Sequence, residues 1–550
     1  MKKPFSTKTV ALMAVAALIM ALAPMLLLGN YLHPAADDYV FGAPARRALL
    51  NTHSVVAAVS AAIEMVMQMH YTWQGTYSAI FLMGMEPGVF DMYWLTPWVM
   101  LAALTASTIF LCRQLLKKVA RADTYEWMLV AALLLLMGTQ LVTSPVEGFY
   151  WFNGSVYYTF FYAAMLALAG VALKWYEAKK WRSVVYGAAG LVMGVFVAGG
   201  NFATALVTAL LSLGGVVWLI CKNKRGKAVA AAVWWVAYMG CFLFSATAPG
   251  NAVRAATITT NKPALEAIIA AIGSGLHGLV AGFSPLTIAL LLVAAPVLWR
   301  LARRSQLSFA RPWLFALITV ALHCAFYAPT QYAMGNDGPE RLQNLYWMNW
   351  CWVVMANLFY MFGAMMRKAE RGSRLMCDVM NTTGHLREFV ASRPQLANIA
   401  VTAVLMATVV QVPSAGRQAL RFITSGKAAA YDNEMDLREK MLQGYGYSFV
   451  FKPLTAQMTS SAVVDIKPDA GHWINQAVCR YYCKKTVALP DTLNMARQRA
   501  YIRSKYASEV GPGALRYVES GRRNIKRYKD RRLQYAERAA KPSRFIAVQQ

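Results

Sequence analysis

Apolar stretches long enough to cross a lipid bilayer recur from Val10 to Pro413, separated by short polar connections. At about 20 residues per crossing helix, the pattern predicts about eleven spans. The connections alternate in charge. The N-terminus (Lys2, Lys3, Lys8) and the segments Arg113 to Arg121, Lys174 to Arg182, Lys222 to Lys227, Arg300 to Arg311 and Arg367 to Arg393 are basic. Those around Ser144 to Asn153, Gly199 to Phe202, Thr247 to Ser274 and Pro329 to Gln343 carry few cations. Cytoplasmic loops retain the Lys/Arg excess, so the N-terminus is expected inside and the C-terminus outside. The first apolar run follows a basic start, as a signal peptide does. It is longer than a usual signal core and has no clear cleavage site after it, which favours an uncleaved span.

Two regions break the hairpin pattern. Between the first and second spans, Tyr31 to Met92 holds Asp37, Asp38, Glu64, His70, Trp73, Glu86 and Asp91 among apolar residues. Within it, residues 55–69 repeat apolar residues with Glu64 and Gln68, four apart, as the only strong polar breaks, as in an amphipathic helix lying at the interface. After residue 413 no run is long enough to span, and the alternating patches 447–454 and 461–468 read as strands of a small mixed domain. The expected class is therefore an all-α polytopic membrane protein with a small extracytoplasmic α+β domain. The divisions are a first span (1–30), an extracytoplasmic loop (31–92), a transmembrane bundle (93–413), the small domain (414–496) and a basic tail (497–550).

Composition agrees with a membrane chain: 57% of the 550 residues are hydrophobic and mean hydropathy is +0.37, more than one soluble core needs. The net charge of +29 would suit a nucleic-acid partner if it formed one field. It is instead divided among alternate connections and the tail, where fifteen Lys/Arg stand against four Asp/Glu, so membrane lipids and an anionic glycan are the expected partners and nucleic acid is not. Eight scattered cysteines form no zinc pattern, and Cys479 and Cys483 read as packing residues. Walker, dinucleotide-binding, H-E-x-x-H and nucleophile-elbow motifs are absent from the sequence, which argues against ATP hydrolysis and soluble-cofactor redox chemistry.

The peptide most suggestive of chemistry is His33 to Tyr39, His-Pro-Ala-Ala-Asp-Asp-Tyr, just after the first span. Adjacent carboxylates at a membrane surface repel, which raises the pKa of one of them. Such a pair suits a base for a sugar hydroxyl attacking an anomeric carbon. Asp38 is expected as that base and Asp37 as the residue positioning it, the acceptor or a divalent ion (magnesium or manganese); either one could also cap the following helix. Arg341 and Arg254 are the arginines nearest outward span ends and suit a phosphate. Glu147 with Tyr150, Trp151 and Asn153 has the acid-plus-aromatic composition of a sugar site, and Trp73, His70 and Asn251 are weaker candidates.

In their order along the chain, the acidic pair and the peptides His70 to Ala79, Glu147 to Tyr158, Ala248 to Arg254, Gly338 to Arg341 and Gly471 to Val487 resemble the GT-C superfamily of polytopic glycosyltransferases. The similarity is to an uncharacterised bacterial branch related to O-antigen glucosyltransferases. Two departures stand out: Gly75 is followed by Thr76 where relatives carry Arg, and Gly199 to Phe202 lacks an expected acid. The resemblance implies transfer of a sugar from a polyprenyl-phosphate donor to a cell-envelope glycan at the bacterial cytoplasmic membrane, with a separate donor synthase and flippase. A polysaccharide polymerase or ligase, or a lipid-linked sugar transporter, are the competing readings. A transporter would need ionisable residues well inside spans or broken inverted repeats, and the charges here gather at span ends.

Overall fold

The computed structural model describes residues 5–411, 413–458 and 460–490; the expected basic tail, 497–550, lies outside them. The described chain is helical with almost no sheet. In order the helices are α1 Thr7–Leu28, α2 Asp37–Thr52, α3 Val55–Thr72, α4 Tyr77–Gly84, α5 Leu95–Ala120, α6 Thr124–Gln140, α7 Phe152–Ser155, α8 Phe161–Glu177, α9 Trp181–Ala198, α10 Phe202–Cys221 and α11 Arg225–Ala246. There follow α12 Pro249–Ala255, α13 Ala264–Ala281, α14 Pro285–Arg304, α15 Pro312–Ala325, α16 Ala328–Met334, α17 Glu340–Glu370, α18 Arg374–Ser392, α19 Pro394–Val410, α20 Ala415–Thr424, α21 Lys427–Gln443 and α22 Trp473–Tyr481. Two short strands, β1 Ser448–Val450 and β2 Thr486–Ala488, pair in parallel, and α22 supplies the crossover a parallel pair requires.

Among the described residues nine helices are long and apolar enough to cross a membrane, or ten if the bent pair α19 and α20 is one span. The hydropathy pattern predicts about eleven; α6 and α17 fall outside the nine, while α13 is among them although Thr247 to Ser274 reads as a connection. α6 is strongly apolar but only 17 residues long. α17, at 31 residues, has length to spare, but Asn344, Asn349 and Asn357 and its charged ends dilute its hydropathy. Both are central to the packing. α6 is buried without interruption from Leu129 to Gln140, and α1 presents Ala11, Ala14, Ala17 and Ala21 to the interior, where it packs on α6. Small residues at that spacing let helix backbones approach closely, the main attraction open to helices in lipid.

The basic connections meet at one end of the bundle. Arg300 bonds Thr7, Arg304 and Arg300 both pair with the buried Glu126, Arg367 donates to Ser305 O at 2.8 Å and Ser305 to Val119 O at 2.8 Å. Lys118 pairs with Glu177 at 3.5 Å. The first loop folds as α2, α3 and α4, and α3 leaves Val55, Val56, Ile63 and Met67 exposed on its outer side, as an interfacial helix does.

The segment after residue 413 shares an apolar core with the first loop: Tyr39 and Ala43 of α2 pack with Leu442, Phe449, Phe451, Ile474, Val478, Tyr481 and Val487. One expected strand does not form. Residues 461–468 are irregular, because side chains take the place of a ladder: the Asp465 carboxylate accepts from Leu454 N at 3.0 Å and Ile466 N at 2.8 Å and pairs with Arg438 at 2.6 Å, while the Asn475 side chain accepts from Lys467 N at 2.8 Å. Cys479 is buried in this core and Cys483 is exposed.

Short helix α12 is seated on the end of α3 through Gly250, where a Cβ would come within 2.6 Å of both Met69 O and Trp73 N. Gly250→Val should therefore destabilise the protein by about 1–3 kcal/mol through overpacking against backbone that cannot yield. Thermal unfolding in detergent measures this, and an unchanged midpoint would show that α12 is not seated so tightly.

Candidate functional site

The acidic pair opens α2, and the turn before it is strained. Ala36 adopts φ 49°, ψ −116°, a region that costs a non-glycine residue about 1–3 kcal/mol and persists only where surroundings fix it. Here they do. Ala35 N donates to Asp38 Oδ2 at 3.0 Å and Ala35 O accepts from Trp151 Nε1 at 3.0 Å, so both peptide groups of the preceding residue are tied down. The indole of Trp151 in turn lies on Gly154, where a Cβ would fall 2.5 Å from Trp151 Cε3.

The two carboxylates have unlike surroundings. Asp38 has no exposed surface. Besides the Ala35 bond, its Oδ2 accepts from Tyr93 Oη at 2.6 Å and its Oδ1 from Asn153 N at 3.0 Å. Burial pushes its carboxyl up to about 7 against those three bonds, and the Asp37 charge adds to the rise. Neither aspartate caps α2 from the N-cap position, which Ala36 occupies; both lie in the first turn, where the helix dipole favours negative charge. Asp37 is partly exposed, and among the described residues its carboxylate has no hydrogen-bond or ion-pair partner. Burial raises it, and Arg341 and Arg254 pull it back down. The two arginines and the acid thus share one electrostatic neighbourhood.

Arg341, at the start of α17, is held by Glu147. Glu147 Oε2 accepts from Arg341 Nη1 at 3.0 Å and Arg341 N at 3.2 Å; Oε1 accepts from Ser461 Oγ at 2.9 Å and Ala462 N at 3.3 Å. Burial opposes its ionisation, but Arg341 and the Ser460 and Ser461 hydroxyls outweigh that and hold its carboxyl below the usual range. The guanidinium lies over the rings of Trp151 at 5.4 Å and Tyr158 at 6.0 Å. Two π-turn stretches, Val146–Tyr150 and Val156–Phe160, flank α7 in this segment, a local departure frequent at functional sites. Asn344 of α17 clamps the segment by a reciprocal pair with Ser144, accepting from its N at 2.9 Å and donating to its O at 2.7 Å.

Arg254, in α12, donates to Gln74 Oε1 and lies over the Trp73 ring at 5.2 Å. Beside Gln74 along the chain, an apolar cleft of about 270 Å³ opens between α3, α4 and α9, lined by Ile63, Val66, Tyr77, Ser78, Phe81 and Phe196.

Asp37, Asp38, Arg341, Arg254, Glu147, Trp151, Asn153 and Trp73 are thus linked in one region. The Asn153 side chain is buried with neither amide atom bonded, and so is the Tyr150 hydroxyl. Asn251 is fully engaged as a structural bracket: its Oδ1 accepts from Gly75 N at 3.1 Å and its Nδ2 donates to Ser245 O and Ala246 O at 2.8 and 2.9 Å. His70 stacks on Phe244 at 4.6 Å, with no bond to the acids. Sequence reasoning gave no role to Tyr93, Gln74, Ser461 or Glu86. Glu86 is fully buried, bonded to Gly88 N at 2.6 Å and Tyr481 Oη at 2.9 Å. Burial and the nearby Asp38 push its carboxyl well up. Glu86 was visible as an acid in an apolar loop; Tyr93 and Ser461 carried no signal, being ordinary residues brought in by tertiary contacts.

A divalent ion does not fit the Asp37–Asp38 pair: both Asp38 oxygens are committed to three donors, and among the described residues no third His, Cys, Asp or Glu ligand converges there. Compared with protein-family models, curated proteins and solved structures, the chain finds no match.

Asp38→Asn must turn its amide NH₂ toward either Ala35 N–H or Asn153 N–H, leaving donors opposed. A buried unsatisfied group costs about 1–3 kcal/mol, so this variant should unfold at lower temperature, whereas Asp37→Asn, which loses no protein partner, should unfold within about 0.5 kcal/mol of the unmodified chain. Equal losses in the two variants would contradict the assignment of unlike environments.

Proposed function

We propose that the protein is a membrane glycosyltransferase of the GT-C type, transferring a sugar from a polyprenyl-phosphate donor to an extracytoplasmic glycan such as O-antigen. In this reading it sits in the bacterial cytoplasmic membrane with the basic end of the bundle cytoplasmic and the acid site and C-terminal segment outside. The observation that carries the reading is Asp37: a partly buried carboxylate with no hydrogen-bond or ion-pair partner among the described residues, in the field of Arg341 and of Arg254, whose partner Gln74 lies beside an apolar cleft along the chain.

A transferase of this kind needs a base for the acceptor hydroxyl, cations for the departing phosphate and an apolar place for the lipid tail. Asp37 is the base, because a base must reach the proton it removes and the Asp38 oxygens are already taken; Asp38 is the positioning residue that fixes the turn. As the acceptor oxygen bonds to the anomeric carbon, the bond from that carbon to the phosphate oxygen breaks, the acceptor proton passes to Asp37, and polyprenyl phosphate leaves as an anion. Arg341 and Arg254 neutralise it. Each spends one guanidinium nitrogen on a protein partner, Glu147 or Gln74, and the remaining N–H groups match phosphate oxygens. The prenyl chain occupies the cleft between α3, α4 and α9, the open amide of Asn153 meets a sugar hydroxyl, and Trp73 and Trp151 border the sugar.

Purified protein in nanodiscs, given a panel of polyprenyl-phosphate hexoses and envelope glycan, tests the mechanism. Asp37→Asn should lower the transfer rate by about 100-fold or more, the usual contribution of a general base, with unchanged thermal stability; undiminished transfer would remove Asp37 from the role. The base works ionised, so the rate of the unmodified chain should rise with pH through the Asp37 pKa, above the ordinary carboxylate range. Arg254→Gln removes a charge that lowers this pKa, so its acid limb should move to higher pH. An acid limb that does not move, or moves down, would contradict the electrostatic arrangement.

A further inference from the structure

His33 opens the acidic peptide, yet the transfer chemistry gives it no part. Its Nε2 lies 2.9 Å from Asp432 Oδ1 and 4.0 Å from Asp436 Oδ1, and one ligand atom from each of the three residues lies within 4.8 Å of the others. Asp432 and Asp436 are one turn apart on α21, so they present both carboxylates to the same face. Like charges at that spacing destabilise a helix. No Lys or Arg pairs with either among the described residues, although the chain has 55 of them; the imidazole is the only group that pairs with them. His33 is held in place by Tyr431, which meets its ring edge-on with centroids 5.8 Å apart. The Asp436 side chain is 51% exposed and has room to swing.

We propose that His33, Asp432 and Asp436 form a binding site for a divalent cation of the zinc class, separate from the acid pair. Imidazole and carboxylate ligands bind zinc at about 2.0–2.2 Å, which brings ligand atoms to about 3–3.5 Å from one another, a closure the half-exposed Asp436 makes by rotating its side chain. One nitrogen and two carboxylate oxygens favour zinc or manganese over calcium or magnesium, which prefer oxygen alone. Three protein ligands leave a position for water. The ion would fasten α21 to the turn that ends in Ala36 and Asp37, joining chain segments about 400 residues apart and offsetting the repulsion along α21. This site does not rest on the transferase reading.

The test uses the full chain in detergent, stripped with EDTA and titrated with ZnCl₂ by calorimetry, alongside His33→Ala and Asp436→Asn. The unmodified chain should bind zinc saturably and gain thermal stability from it, and each variant should bind at least about 10-fold more weakly and lose the zinc-dependent gain. Asp436→Asn changes a half-exposed residue, and its midpoint without metal verifies that it is folded. Zinc affinity equal in all three proteins, or no saturable binding to the unmodified chain, overturns the proposal whatever the outcome for sugar transfer.

Discussion

The buried carboxylate of Asp38 is the constraint on which the acid-bearing end of the molecule depends. Three donors from three parts of the chain converge on it: Ala35 N from the turn after α1, Tyr93 Oη from the approach to α5, and Asn153 N from the segment between α6 and α8. A carboxylate without access to water is tolerated only when its oxygens are satisfied, so the three segments are obliged to meet. That meeting holds Ala36 in its strained conformation, with Asp37 next to it in the first turn of α2. The adjacent acids are thereby divided between holding the site together and remaining available.

The C-terminal segment is built into the same end. Ser461 and Ala462 complete the shell of Glu147, which holds Arg341; Tyr481 satisfies the buried Glu86; and α22 shares its apolar core with α2. Glu147 shows how a charge becomes a tool in such a setting. Paired with Arg341 and satisfied on its other oxygen, it is held ionised and fixes the guanidinium over Trp151 without consuming all its donors. Glu86, more deeply desolvated, close to Asp38 and without an ion pair, is pushed the other way, toward its neutral form.

Much of the architecture was legible in hydropathy and charge. Helices long enough to cross a bilayer, the amphipathic α3 and the gathering of basic connections follow from periodicity and Lys/Arg placement, because lipid imposes the same demand on every span. α6 and α17 show how far length and hydropathy reach: a short helix and a long polar one are kept in the bundle by packing, which neither measures. The lost strand at 461–468 has the same origin, for Asp465 found Arg438 and backbone N–H groups that no local pattern reveals. At the site, acids and arginines in the polar connections stood out as types. Their division of labour did not, since Asp37 and Asp38 are identical in sequence terms and differ only through Tyr93, Asn153 and the turn at Ala36. The bonds of Asn251, one of the weaker candidates, to Gly75 N and to the end of α11 are tertiary and carry no local signal.

Mass and linkage analysis of cell-envelope glycans tests the central claim most directly, in cells lacking this protein and complemented with the unmodified chain or with Asp37→Ala. The account predicts that one sugar decoration disappears, returns with the unmodified chain and stays absent with Asp37→Ala present at equal abundance in the membrane. Retention of every decoration with altered chain length or altered export of the glycan would contradict it, and would make the protein a polymerase or a transporter instead.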